Sequence, residues 1–392
     1  MGQWLTARAS AAAGLVALAV TMGACAMRQG SETSTTSEVS TGTVAGADSG
    51  SMGMGGASAT GSASGVSGMA MSRPTPPMQS VLDAHAALGP RPIETLTPEE
   101  ARRQPTPADA VKALLLQQRR DTTPTALVPG VMHRDRTVPG AAGPLPARVY
   151  TPEGAGPFPV IVYFHGGGWV IGSKEVYDGG ARGLSKAANA VVVSVDYRLA
   201  PEHKFPAQHE DALAAYRWAV TSASEINGDP RRVALAGESA GGNLAVATAV
   251  AARDAGVQAP VHVLSVYPIA QPNMNTPSYN EYANAKPLNR PMMAWFAQHT
   301  ARTPADLQDP RISLVKANLR GLPPVTIVTA EIDPLRDDGG MLEQALRAAG
   351  VSVERRHFDG VTHEFFGMAA VVPRAMEAQQ YAGQRLQMGF AR

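Results

Sequence analysis

This chain of 392 residues is predicted to adopt an α/β architecture, a mostly parallel central sheet with helices on both faces, on three observations. Continuous apolar, β-prone runs alternate with helical stretches. A Gly-x-Ser-x-Gly pentapeptide stands between a strand run and a helix run. Several residues able to do chemistry fall just past strand runs, where open parallel sheets collect their reactive groups. The 34 Lys and Arg nearly balance the 33 Asp and Glu, so no strong field points to a nucleic acid partner. The single cysteine, Cys25, excludes an internal disulfide, so a hydrophobic core must hold the fold.

The first segment reads as an export signal. Arg8 gives a short positive region, and Ala11 to Val20 form an apolar stretch too short for a comfortable membrane span. Met22-Gly23-Ala24-Cys25 then resembles a bacterial lipobox, in which the cysteine becomes the lipidated first residue; Met22 departs from the usual Leu. An ordinary secretory signal ending near a cysteine is the alternative. The lipobox is preferred because Cys25 is the only cysteine and lies at the cleavage point. Met1 to Thr6 also fit a myristoylation pattern, which is set aside because the apolar stretch already explains the segment. Residues 1–24 are thus read as signal peptide and 25–78 as a flexible Ser/Thr/Gly-rich tether with too few large apolar residues to offset its ordering entropy. Its methionines, such as Met52 and Met54, are read as spacer rather than as a metal site. An exported protein held to the cell envelope through Cys25, or otherwise secreted or periplasmic, is expected.

Residues 79–392 are read as the globular domain. The pattern is helical from about 79, with Ser80 to Leu88 as one run. Thr106-Pro107-Ala108-Asp109 opens another, with proline at its first turn. Strand signals begin at about Val138 and include Ala147 to Tyr150. Pro159 to Phe164, Ala190 to Val195, Val261 to Val266 and Val325 to Thr329 are apolar on both faces, as strands covered on both sides must be. Helical stretches lie between them at 180–189, 208–224, 243–255 and 340–349. Residues 79–138 and an insert at 271–303 are expected to cap the site. Met292, Met293, Trp295 and Phe296 of the insert either line a pocket or bury one face of a helix.

Ser239 sits on the predicted strand-to-helix turn Gly237-Glu238-Ser239-Ala240-Gly241, where flanking side chains would clash, so it is lifted clear of the sheet as a candidate nucleophile. After Val160 to Phe164 come His165-Gly166-Gly167-Gly168-Trp169. Bare amides there, with that of Ala240, would surround a developing oxyanion. The spacing fits neither dinucleotide-binding nor P-loop patterns. Asp333 follows Val325 to Thr329 and is the candidate orienting acid; Asp337 and Asp338 compete but fall where the next helix should start. His363, past the Val353 to Phe358 strand, completes the order Ser, Asp, His and is the candidate base. Trp169 and Tyr177 are candidate substrate contacts. No His-Glu-x-x-His motif and no cysteine cluster occurs, so neither a metal nor a cofactor is expected.

Five motifs carry a resemblance: His165-Gly166-Gly167-Gly168, Asp196 to Glu202, Gly237 to Gly241, Asp333 to Asp337 and His363-Glu364-Phe365. In this order, over about residues 80–390, they resemble the hormone-sensitive-lipase family of α/β-hydrolases, the bacterial family IV esterases. The resemblance implies an α/β-hydrolase fold with a helical cap, and a carboxylesterase of short- to medium-chain acyl esters. It matches the family's nucleophile to Ser239, acid to Asp333, base to His363 and oxyanion donors to Gly166, Gly167 and Ala240. Glu238 departs from the more frequent Asp. An amide or peptide hydrolase, and a non-catalytic small-ligand-binding protein, remain as alternatives on the same fold. The partner expected is a small-molecule ester; the oligomeric state is open, with a homodimer one candidate.

Overall fold

The structure, a computed structural model, describes residues 72–392. The signal segment, Cys25 and the tether through residue 71 lie outside the described residues. Eight strands run in the order β1 (Val131–Gly140), β2 (Gly143–Pro152), β3 (Phe158–Phe164), β4 (Val191–Val195), β5 (Gly228–Glu238), β6 (Val263–Val266), β7 (Val325–Ile332) and β8 (Val353–Thr362). The helices are α1 (Pro76–Ala87), α2 (Pro98–Ala101), α3 (Pro107–Gln117), α4 (Pro124–Leu127), α5 (Asp178–Ala188), α6 (Ala207–Ser222), α7 (Ala240–Asp254), α8 (Pro277–Glu281), α9 (Arg290–Thr300), α10 (Arg336–Ala348) and α11 (Pro373–Phe390). The sheet order is β1-β2-β4-β3-β5-β6-β7-β8. β2 pairs antiparallel with both β1 and β4; every pairing from β4 to β8 is parallel.

Strand β3 shows why the runs are apolar on both faces. Val160, Val162 and Phe164 enter a core shared with α6, α7 and α10, while Ile161 and Tyr163 enter one shared with α5 and α11. Alternate side chains of a strand point to opposite faces, and here both faces are covered. The predicted α/β class therefore holds, with helices on each side of the sheet.

Two boundaries move. Helix α1 begins at Pro76, inside the span read as tether. Residues 131–138, read as cap, belong to β1. That strand is the sheet's edge, with Met132, His133, Arg134 and Asp135 all exposed, so it lacks the apolar alternation that marks a covered strand. Helix α3 starts as its sequence requires: Thr106 Oγ1 accepts from Asp109 N at 3.2 Å, and the Asp109 carboxylate accepts from Thr106 N at 2.8 Å. The cap segments are helical, as expected, through α1 to α4 and through α8 and α9. The Trp295 indole N–H donates to the Leu96 carbonyl at 3.2 Å and joins the two segments. Among the described residues no helix is long and apolar enough to cross a membrane.

Candidate active site

Strand register brings the site together. Phe164 of β3 pairs with Gly237 of β5, so the loop opened by His165 and the turn bearing Ser239 leave the sheet side by side. Ile332 of β7 pairs with Thr362 of β8, so the next residues, Asp333 and His363, also emerge together. Two parallel pairings thus deliver four chain-distant segments to one edge of the sheet.

Ser239 has φ 57° and ψ −117°, a left-handed conformation rare for a residue with a Cβ. Its N–H donates to the Val266 carbonyl at 2.8 Å, which pins the turn to β6. Any side chain at Gly237 would strike the Gly241 carbonyl, and any at Gly241 would strike the Phe164 carbonyl. Both glycines are therefore required by close backbone approach. Ala240 is the first residue of α7, so its N–H has no intrahelical acceptor and faces outward with the positive end of the helix dipole.

The glycine loop is held from below. The neutral-side nitrogen Nδ1 of His165 donates to the Gly166 carbonyl at 2.8 Å, the imidazole stacks on Tyr197 at 4.3 Å, and the Tyr197 hydroxyl donates to the His165 carbonyl at 2.8 Å. Burial pulls the His165 imidazole below its ordinary range, against Asp196, so it stays neutral in this role. Gly167 and Gly168 take φ 92° and 59°. Among the described residues the N–H groups of Gly166 and Gly167 donate to no backbone carbonyl, which leaves them available to a ligand.

His363 Nδ1 donates to Asp333 Oδ2 at 2.7 Å, and Asp333 Oδ1 accepts from Leu335 N at 2.8 Å. Both side chains are buried. Burial acts to lower the His363 pKa, but the charge and hydrogen bond of Asp333, followed by Glu364, outweigh it, and the net shift is upward. An imidazole anchored at Nδ1 presents Nε2 as a proton acceptor. Asp337 and Asp338 open α10, as their sequence position predicts. They brace the surrounding loops instead: Asp337 accepts from Ser278 N at 2.8 Å and Asp338 from Ala270 N at 3.0 Å.

Behind His363 lies a polar cluster that the sequence reading missed. Tyr163 and Tyr267 both donate to the buried carboxyl of Glu238. The Tyr267 ring lies 4.4 Å from the His363 ring. Desolvation, aided by Glu364, pushes Glu238 up to about 8 against the two tyrosine hydrogen bonds, so it is protonated at neutral pH. The two tyrosines and Glu238 come from three separate strands or their ends, β3, β6 and β5, and no spacing in the sequence pairs them.

Ser239, His363, Gly167 and Gly168 line a cavity of about 530 Å³, roofed by Leu82, Ile93, Met292, Met293 and Phe296 of the two cap segments. This decides the question left open for the insert: Met292, Met293 and Phe296 line the cavity, while Trp295 is buried against Leu96. Tyr177 lines the cavity. Trp169 does not. Its φ of 61° turns the indole inward, 6.0 Å from the His209 ring, so the expected substrate contact is corrected to a core residue. Among the described residues no group of three or more His, Cys, Asp or Glu is placed to hold a metal ion.

Comparison with known proteins decides the family. The family described as alpha/beta hydrolase fold matches residues 161–367. Carboxylesterase NlhH of Mycobacterium tuberculosis is 42% identical over 280 residues, 70% of this chain and 88% of that protein. This chain belongs to the hormone-sensitive-lipase-like α/β-hydrolases and is a carboxylic ester hydrolase. An ethyl acetate hydrolase of Pseudomonas putida is 35% identical over 249 residues, 62% of this chain and 78% of that protein. The crystal structure of a thermostable esterase from Pseudomonas putida ECU1011 superposes with a TM-score of 0.72 at 31% identity, over 81% of this chain and 98% of that one. A hyperthermophilic esterase from Pyrobaculum calidifontis gives 0.71 at 34%, over 81% and 98%. These esterases argue against the reading of the fold as a non-catalytic binding protein.

Proposed function

We propose that this esterase cleaves short- to medium-chain acyl esters through an acyl-enzyme on Ser239. The observation that carries the reading is the buried 2.7 Å hydrogen bond from His363 to Asp333 at the wall of the cavity that Ser239 lines. His363 takes the Ser239 proton as Oγ attacks the ester carbonyl. Asp333 fixes the tautomer and stabilises the imidazolium. The N–H groups of Gly166, Gly167 and Ala240 hold the oxyanion, each worth on the order of 3 kcal/mol in measured cases. The C–O bond then breaks, and the alkoxide leaves with the proton from His363. Water, deprotonated by the same imidazole, releases the acid. A cavity of about 530 Å³ with a largely hydrocarbon roof suits an acyl chain of modest length. Ser239→Ala is expected to remove nearly all hydrolysis of p-nitrophenyl butyrate; near-wild-type turnover would overturn the assignment.

We propose also that the protein is exported and tethered to the cell envelope through lipid on Cys25. The support is the sequence around that residue. Cys25→Ala should move the enzyme from the membrane to the soluble fraction, and unchanged fractionation would defeat the idea.

A further inference from the structure

A second cavity, of about 640 Å³, lies beside the first. Pro107, Val176, Tyr177 and Glu364 line both, so these four residues form a shared partition. We propose that the second cavity is an overflow chamber that takes the distal end of a long acyl chain, reached from Ser239 past Tyr177. The inference deepens the esterase reading of the same site and rests on it.

Three observations carry it. The chamber walls are mostly hydrocarbon: Val111 and Leu115 of α3, Leu127 of α4, Met368 and Ala370 ahead of α11, and Met376 in its first turn, while Arg148 and Arg182, which also line it, pair with Asp178. The apolar part of such a wall recognises an alkyl chain. The partition stands next to the reacting carbonyl. The Tyr177 hydroxyl lies so near Gly166 that a Cβ there would come within 2.5 Å of it, and Gly166 is one of the proposed oxyanion donors. The acyl chain begins at that point and stays attached there throughout the acyl-enzyme stage. The partition is also a latch and not a packed wall alone. Tyr177 donates to Glu364 Oε1 at 2.7 Å, and Glu364 holds a left-handed φ of 71° directly after His363. On this proposal the passage opens when Tyr177, which also packs beside Gly166, Gly172 and the His165 ring, leaves that hydrogen bond and rotates.

Each methylene that enters an apolar chamber should raise kcat/KM roughly fourfold, the equivalent of about 0.8 kcal/mol. The test compares p-nitrophenyl decanoate with p-nitrophenyl butyrate on the full chain. Ala370→Trp fills the chamber from a half-buried position, and Met376→Trp does so from an exposed one if the first variant does not fold. Either plug is expected to lower the decanoate-to-butyrate ratio of kcat/KM at least tenfold, and Tyr177→Phe, which removes the latch hydrogen bond, to raise it. An unchanged ratio in the plugged variants, or an equal loss on both esters, overturns the chamber. Failure of the underlying esterase reading would look different: butyrate hydrolysis by the wild type would survive Ser239→Ala.

Discussion

Ser239, Asp333 and His363 sit one residue or less past strands whose pairing fixes them in place, at Phe164 with Gly237 and Ile332 with Thr362. The cap that faces them is assembled differently. Ile93 and Phe296 come from segments joined by packing and by a Trp295–Leu96 hydrogen bond that spans 199 residues of sequence. The reacting end is therefore held by backbone ladders and close glycine contacts, and the cap by side chains. Ladder-held groups keep the sub-ångström placement that chemistry needs, while a packed roof can be reshaped without disturbing it.

The contrast breaks most sharply at Asp333. Asp333→Asn keeps the shape of the site but removes the charge that orients and raises His363. A fall in kcat of about 10⁴ is expected, as in other triads. The acid limb of the pH profile tests the same contact. The His363 pKa is raised, and only the neutral imidazole accepts a proton, so the wild-type limb should lie above pH 6.5. A limb at or below 6.5 would remove the role given to Asp333.

Phe296→Ala tests the cap side. Truncating this buried ring should cost about 3 kcal/mol of stability, read by denaturant unfolding, and shift KM and chain preference more than kcat. A kcat loss like that of Asp333→Asn would erase the distinction between the two regions.

The cluster behind His363 gives an effect that depends on pH. The carboxyl of Glu238 is raised from 4.5 to about 8, so its contribution to stability is fully present below pH 4.5 and is lost as the pH rises toward 8. Glu238→Gln, which cannot ionise, should gain in Tm relative to the wild type as the pH rises from 5 to 9. A constant difference across that range would mean that Glu238 is not held protonated.

Legibility followed the range of the forces involved. The turn at Gly237 to Gly241 could be read because close backbone approach demands glycine at fixed offsets. The Thr106–Asp109 cap could be read because both partners lie within one helical turn. Edge strand β1 was partly misread because one uncovered face leaves no apolar pattern. Helix α11 was not anticipated, although its Ala375, Ala378, Ala382 and Leu386 are all buried. Trp169 was placed in the pocket because its neighbours are there, yet a single left-handed φ turns its indole into the core.

The sequence by itself determined the sheet's apolar strands, the strained turn at Ser239 and the chain order of Ser239, Asp333 and His363, because each follows from local sterics, periodicity or a fixed spacing. Only the tertiary structure decided that Tyr163 and Tyr267 meet on Glu238, that Trp169 leaves the cavity and that Tyr177 divides two chambers. Those contacts depend on side-chain directions across elements far apart in the chain, which no local pattern encodes.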